Sequence, residues 1–329
     1  MPDLLVLGQV IVDHAVPATP GAWRESLGGN ALYAAAGARL WCDASRIGVV
    51  TRLGRGLAQD VATLLGRVGL PAGGLVEIDA EPLVEWHLYE TDGSRRSLPR
   101  NPALRDPATD GATLHQRYLA HLEALSPALG DIPVAWLPTR AVHLAPQVAA
   151  RHGSALPSLG RRADWISVDP SPHYARQLDE RKLAGLLQGA RAFLPSRAEV
   201  EHLAPDGDWM ALILRLREAG FEEVVLKLGE DGCLVAAPGA EPPRRIPAAP
   251  ARVVDLTGAG DAFGGAYAAA RLTGLDPLAA GRRGAIAAAM VVECAGAAAA
   301  LALPLAEAKR RLESWTPKAW EASGGGATT

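Results

Sequence analysis

Short apolar runs and helically spaced apolar residues alternate along most of this chain. Leu4-Leu5-Val6-Leu7-Gly8 is an unbroken apolar run of the kind found in a strand covered on both faces, and residues 9–13 read as its continuation. Further strand-like runs lie at residues 45–50, 75–78, 141–144, 165–168, 192–194, 223–228 and 233–236. Between several of them the period changes. Leu57, Val61, Leu64, Leu65 and Val68 recur at helical spacing, and residues 31–40, 110–125, 177–187 and 209–219 also read as helices. This alternation predicts an α/β protein whose mostly parallel central sheet carries helices on both faces, joined by right-handed crossovers.

Two stretches depart from that rhythm. Residues 82–89 alternate strictly, with Leu83, Glu85, His87 and Tyr89 on one face and Val84, Trp86 and Leu88 on the other, as in a half-exposed strand. Thr91-Asp92-Gly93-Ser94 reads as a hairpin-type turn, and residues 95–98 read as the returning strand. The second exception is the nearly continuous apolar stretch 284–303, close to the length that spans a bilayer. It is mostly alanine, with Glu293 near its middle and Gly296 just beyond, which fits a buried helix that ends near Gly296.

Composition narrows the partners. Of 329 residues, 49% are hydrophobic and 21% charged, which is ordinary for a globular protein. A formal net charge of -3 gives no field that would draw nucleic acid or an anionic membrane. Cys42, Cys233 and Cys294 are far apart, show no metal-ligand spacing and are odd in number, so a reducing cytoplasm is the expected compartment. Residues 323–329 are expected to form a disordered tail.

The chemistry concentrates in Val253-Val254-Asp255-Leu256-Thr257-Gly258-Ala259-Gly260-Asp261 and the small-residue helix after it. A helix start offers unpaired N–H groups and the positive end of a dipole, and so attracts an anion. Gly258 and Gly260 let a phosphate approach the backbone. Asp261 would repel that phosphate unless it takes a proton from a hydroxyl attacking the phosphorus. The same residues also fit a plain tight turn with Asp261 favouring the helix start. Upstream, Gly28-Gly29-Asn30-Ala31 opens another small-residue helix. There the glycines would let a flat polar ligand lie against the backbone, and Asn30 can both donate to and accept from a hydroxyl, or cap the helix.

These two signatures, in this order, resemble those of the PfkB carbohydrate kinases, the ribokinase-like family. Leu256 stands where the family has threonine after the first Asp, and Thr257 follows. The resemblance runs from about residue 4 to about 312. It implies a ribokinase-like three-layer α/β/α core formed by residues 1–12, 29–80 and 105–322, and a small β lid formed by 13–28 and 81–104. It implies an ATP-dependent kinase of a small sugar or related hydroxyl substrate, with Asp261 as general base and Gly258, Ala259 and Gly260 as the anion hole. Asp13, Gly28, Gly29 and Asn30 would then bind substrate. Lys227, Gly229, Gly232 and Thr257 would lie at the nucleotide. Within Phe193-Leu194-Pro195-Ser196-Arg197-Ala198-Glu199, Glu199 would help hold Mg2+ through water, while Ser196 departs from the family's Asn. Asp255 is implied at a monovalent-cation site for K+. Asp169-Pro170 ends a strand on the crevice side, and the resemblance gives it no firm role. His87, Arg96 and Arg100 read as solvated lid residues within reach of substrate. A homodimer through the lid is the assembly that the resemblance allows.

Three rivals remain at this stage. A nucleoside kinase of the same fold would suit a lid that carries Trp86. A non-catalytic binding protein would suit the altered Asn-x-x-Glu motif. A dinucleotide-dependent dehydrogenase is disfavoured, because Gly8 is not followed by a Gly-x-Gly-x-x-Gly pattern.

Overall fold

A computed structural model describes residues 1–16, 24–89, 95–98, 111–238 and 242–315. The strands, in chain order, are β1 Leu4–Leu7, β2 Ile11–Val16, β3 Arg24–Gly28, β4 Ile47–Leu53, β5 Leu75–Glu77, β6 Val84–Tyr89, β7 Arg95–Leu98, β8 Thr139–Leu144, β9 Ala163–Val168, β10 Ala192–Phe193, β11 Glu223–Lys227, β12 Cys233–Ala236 and β13 Arg244–Ile246. Nine of them form one sheet in the order β13-β12-β11-β10-β9-β8-β1-β4-β5. Pairing is parallel from β5 to β11 and antiparallel from β11 through β12 to β13. The expected parallel sheet is therefore present, and the proline-rich segment 238–250 contributes its edge strand.

Alternate residues of β1 feed two cores. Leu4 and Val6 join the helices Asn30–Arg39, Ala259–Leu272 and Pro277–Val291 on one face. Leu5 and Leu7 join the helices Ala149–Leu159, Glu180–Leu186 and Trp209–Ala219 on the other. Burial on both sides explains why β1 is apolar at every position.

A second, four-stranded sheet runs β3-β2-β6-β7. Here the chain differs from the sequence expectation. Residues 9–13 do not continue β1. The chain leaves the main sheet after Leu7, and β2 starts the small sheet at Ile11. A continuous strand cannot change sheets without a break, and Gly8 to Val10 supply it. Nor does either described face of β6 lie open: Trp86 and His87, on opposite faces, are both buried and Val84 and Glu85 half-buried, with the Trp86 ring tilted against that of His14 at 4.3 Å between centroids. The expected turn at 91–94, Arg100 and the tail 323–329 lie outside the described residues, as does the Arg96 side chain.

The helices Asn30–Arg39 and Ala259–Leu272 cross at very short range. A Cβ on Gly265 would collide with the Ala34 carbonyl oxygen, and one on Gly37 with the Ala262 carbonyl oxygen. The alanine and glycine richness of both segments thus reflects backbone-to-backbone packing. No helix among the described residues is long and apolar enough to cross a membrane, and the stretch 284–303 divides between Pro277–Val291 and Ala297–Leu301.

We expect Gly265→Ala to destabilise the fold by about 1–3 kcal/mol through overpacking. Gly66→Ala, at an open helical position with nothing near its Cβ, should stabilise it by about 0.5–1 kcal/mol. Urea denaturation of the two variants checks the contrast, and equal effects would contradict it.

Candidate active site

The crevice opens where strands of the main sheet end. Helix Ala259–Leu272 begins there, capped by Gly258 in the left-handed conformation with φ 76°. A side chain at Gly258 would be strained at that φ and would also run into the ring of Tyr33. The turn before it is closed by Asp255, whose Oδ1 accepts from the Thr257 N–H at 2.9 Å and from its hydroxyl at 2.6 Å. The Ala259 N–H reaches Leu256 O only at 3.4 Å. The N–H groups of Gly260 and Asp261 have no backbone partner among the described residues, as expected in the first turn of a helix.

Beside this turn lies a cavity of about 820 Å3. Its polar end includes Ser196, Lys227, Gly229, Gly232, Ala259 and Gly260; elsewhere the wall is apolar, including Val253, Leu256, Phe263, Ala285, Ala289 and Val292. The structure thus brings together Lys227, Gly229, Gly232, Ala259 and Gly260. Gly229 and Gly232 have φ of 64° and 86°, so this turn needs glycine at both places. The side chain of Thr257 is engaged within its own turn.

Charge is packed tightly at the polar end. Lys227 ends β11 and forms an ion pair with Asp169, which is buried just past β9. Burial works against the Lys227 ammonium, but Asp169, Glu199 and Asp261 outweigh it and keep its pKa above the ordinary lysine value. Burial raises all three carboxylates, Asp169 most clearly, because one ammonium cannot balance three acids. Asp261 is half-buried, and its pKa is pushed up to about 6 by burial, with Lys227 opposing and Glu199 and Glu85 adding.

Ser196 stands where the resemblance expects Asn. It caps the short helix Arg197–Val200, and its N–H donates to Glu199 Oε2 at 2.6 Å, so the buried Glu199 carboxylate is fixed.

Asp13 lies on β2, buried, with Oδ1 3.1 Å from His87 Nε2. Its carboxylate folds over Gly28, where any Cβ would strike it. Gly29, at φ 95°, packs against the backbone of residues 9–11. Asn30 is engaged within the protein. Its Nδ2 donates to Gln9 Oε1 and to Pro146 O, each at 2.8 Å, and its Oδ1 accepts from the Gln9 N–H at 2.8 Å. Its amide fastens the chain between the two sheets and has one acceptor lone pair left for a ligand. His87 is corrected from solvated to buried, and sequence reasoning missed its pairing with Asp13. Asp13, Glu85 and His87 bring ligand-type atoms within 4.8 Å of one another. Asp169 was placed at the crevice side without a role, and its pairing with Lys227 was missed.

Residues 1–303 match the model of the pfkB family carbohydrate kinases. An uncharacterized sugar kinase of Archaeoglobus fulgidus is 37% identical over 41% of this chain and 52% of its own length. The 2-dehydro-3-deoxygluconokinase of Escherichia coli is 40% identical over 26% of this chain and 28% of its own. The matched segments thus span about half the length of the first relative and under a third of the second. A cytidine kinase of Thermococcus kodakarensis is 24% identical over 82% of this chain and 88% of its own length. Among solved structures, the Burkholderia thailandensis nucleoside kinase in complex with inosine superposes with TM-score 0.72 at 18% identity, over 94% of this chain and 96% of that one. The ribokinase of Thermotoga maritima gives TM-score 0.68 at 18% identity, over 95% and 100%.

A neutral residue at 261 should stabilise the ligand-free protein at neutral pH. Burial favours the protonated Asp261, so its contribution is complete below about pH 4, the usual aspartate value, and is lost as pH rises through about 6. Asp261→Asn should therefore melt higher than wild type at pH 7.5, by on the order of 1–2 kcal/mol after allowance for solvent screening. The two proteins should converge near pH 4; a gap that does not change with pH would refute the assignment.

Proposed function

Because this chain belongs to the pfkB family of carbohydrate kinases, we propose that it moves the γ-phosphoryl group of ATP to a hydroxyl of a small sugar or sugar-like acceptor. The observation that carries the reading is that Lys227 and the turn residues Ala259 and Gly260 line the polar end of one cavity, with Asp261 next in the chain and its charge coupled to that of Lys227. The triphosphate lies along Lys227, Gly229 and Gly232, with the base toward the alanine-lined wall. The acceptor lies between Asp13, the Gly28-Gly29 backbone and the lid. Asp261, ionised at neutral pH, takes the proton of the attacking hydroxyl. The N–H groups of the turn at Gly258, Ala259 and Gly260, with that of Asp261, face charge that grows on the transferring phosphoryl, and they need no reorganisation to do so.

The donor atoms near Lys227 are carboxylate oxygens, which suit a hard divalent cation, and Glu199 would hold Mg2+ through water. When bound, such an ion supplies charge neutralisation between the phosphates. For K+, Asp255 offers a carboxylate whose Oδ1 already serves Thr257, so this part of the reading rests on family resemblance. Trp86 is packed against His14, but the similarity to a cytidine kinase over most of the chain keeps nucleosides among the acceptors to be tried.

A coupled ADP-release screen over sugars, sugar acids, polyols and nucleosides tests the proposal. Asp261→Asn should lower kcat by roughly 10²–10⁴ with nucleotide affinity largely kept; unchanged turnover would remove Asp261 from the chemistry. In wild type, kcat/KM should fall below a pKa near 6, because the base must be ionised to accept the proton. A profile flat from pH 5 to 8 would contradict this.

A further inference from the structure

We propose that Asp169 is a positioning residue that holds the Lys227 ammonium over the first turn of helix Ala259–Leu272, where it meets the phosphates of the nucleotide. This rests on the kinase reading and adds to it a residue to which no role has been given.

Both members of the pair are set by backbone. The Asp169 N–H donates to Leu144 O at 2.8 Å, which fixes the carboxylate at the end of β9. The Lys227 N–H donates to Pro195 O at 2.8 Å, and Lys227 also bridges to Ser196. From these anchors the two side chains meet, with Asp169 Oδ2 accepting from Lys227 Nζ. The ammonium comes to rest 3.4 Å from where a Cβ of Gly260 would stand, and Lys227 lines the nucleotide cavity.

A lysine stem has four rotatable bonds, and Glu199 and Asp261 compete for its charge. Without Asp169 the ammonium would swing toward either of them, and each has its own task. Gly264 makes room for the arrangement. A Cβ there would lie 2.7 Å from His143 Cε1 and 3.5 Å from Asp169 Oδ2. His143 adds no rival charge, because burial lowers its pKa to about 3 and its Nδ1 is 2.9 Å from the Ser167 hydroxyl. Lys227 is therefore the cation that Asp169 meets directly among the described residues.

A double-mutant cycle on ADP affinity, read by titration calorimetry on folded protein, tests this. Asp169→Asn should weaken ADP binding at least tenfold, and Lys227→Met should do likewise. In the Lys227→Met background, Asp169→Asn should cost nothing further. Asp169→Glu, which restores the charge, should recover part of the affinity; a role resting on shape alone would be hurt more by the longer Glu than by Asn. An equal loss in both backgrounds, or wild-type affinity in Asp169→Asn, would overturn the proposal. Should Asp169→Asn fail to fold, the order of Asp169→Glu between wild type and Lys227→Met still decides it. A wild-type protein that binds no ADP would instead remove the kinase reading, and this proposal with it.

Discussion

The near-contact of two helix backbones governs this molecule. Helices Asn30–Arg39 and Ala259–Leu272 touch through Gly37 and Ala262 at one point, and through Ala34 and Gly265 at another. The first helix starts beside the proposed acceptor site and the second beside the proposed phosphoryl site. Packing at such range leaves no slack for either helix to slide, since interiors transmit displacement instead of absorbing it. The starts of the two helices are thereby held at a fixed separation by backbone packing. Tyr33 reinforces this, because its ring fills the space beside Gly258 and so seats the glycine turn directly on the first helix.

The electrostatics carry the complementary constraint. Three acids crowd one buried lysine, and each acid is raised in pKa by burial. Such a cluster is costly in the ligand-free protein, because buried charge is tolerated only when paired and hydrogen-bonded. The sequence meets part of that requirement locally. Ser196 donates its N–H to Glu199, and Asp169 is matched to Lys227. Asp261 is left least compensated, and a carboxylate of about pKa 6 is well matched to accept a proton near neutrality.

Periodicity made the main sheet legible, since β1 and its neighbours are apolar for the plain reason that both faces are covered. The glycine turn was legible because few uses of the backbone demand glycine twice in three positions beside an acid. What could not be read was partnership across long sequence distances. Nothing near Asp169 announces a lysine 58 residues on, and nothing near Asp13 announces His87, 74 residues on. The partners of Asn30 were hidden for the same reason. An amide that can donate and accept says nothing of whether Gln9 and Pro146 have already claimed it. The lid strand β6 looked half exposed because alternation reports two chemically different faces, and here His87 on the polar face is buried beside Asp13 of the neighbouring strand β2.

The cavity beside the glycine turn is divided in the same way. Its apolar wall comes from small residues of helix Pro277–Val291 and the segment before the glycine turn, whose apolar character was plain but whose direction was not. Alanines at 285, 288 and 289 leave space where larger side chains would fill it, so cavity volume arises from the same small-residue packing that brings the helices together. The charged end comes instead from strand ends, where a backbone ladder fixes each Cα and a single side chain can be aimed. Space from helices and aim from strands are thus separate contributions. On the proposed kinase reading, enlarging an alanine in the wall should alter which nucleotide fits, whereas moving Lys227 or Asp169 should alter how firmly any of them is gripped.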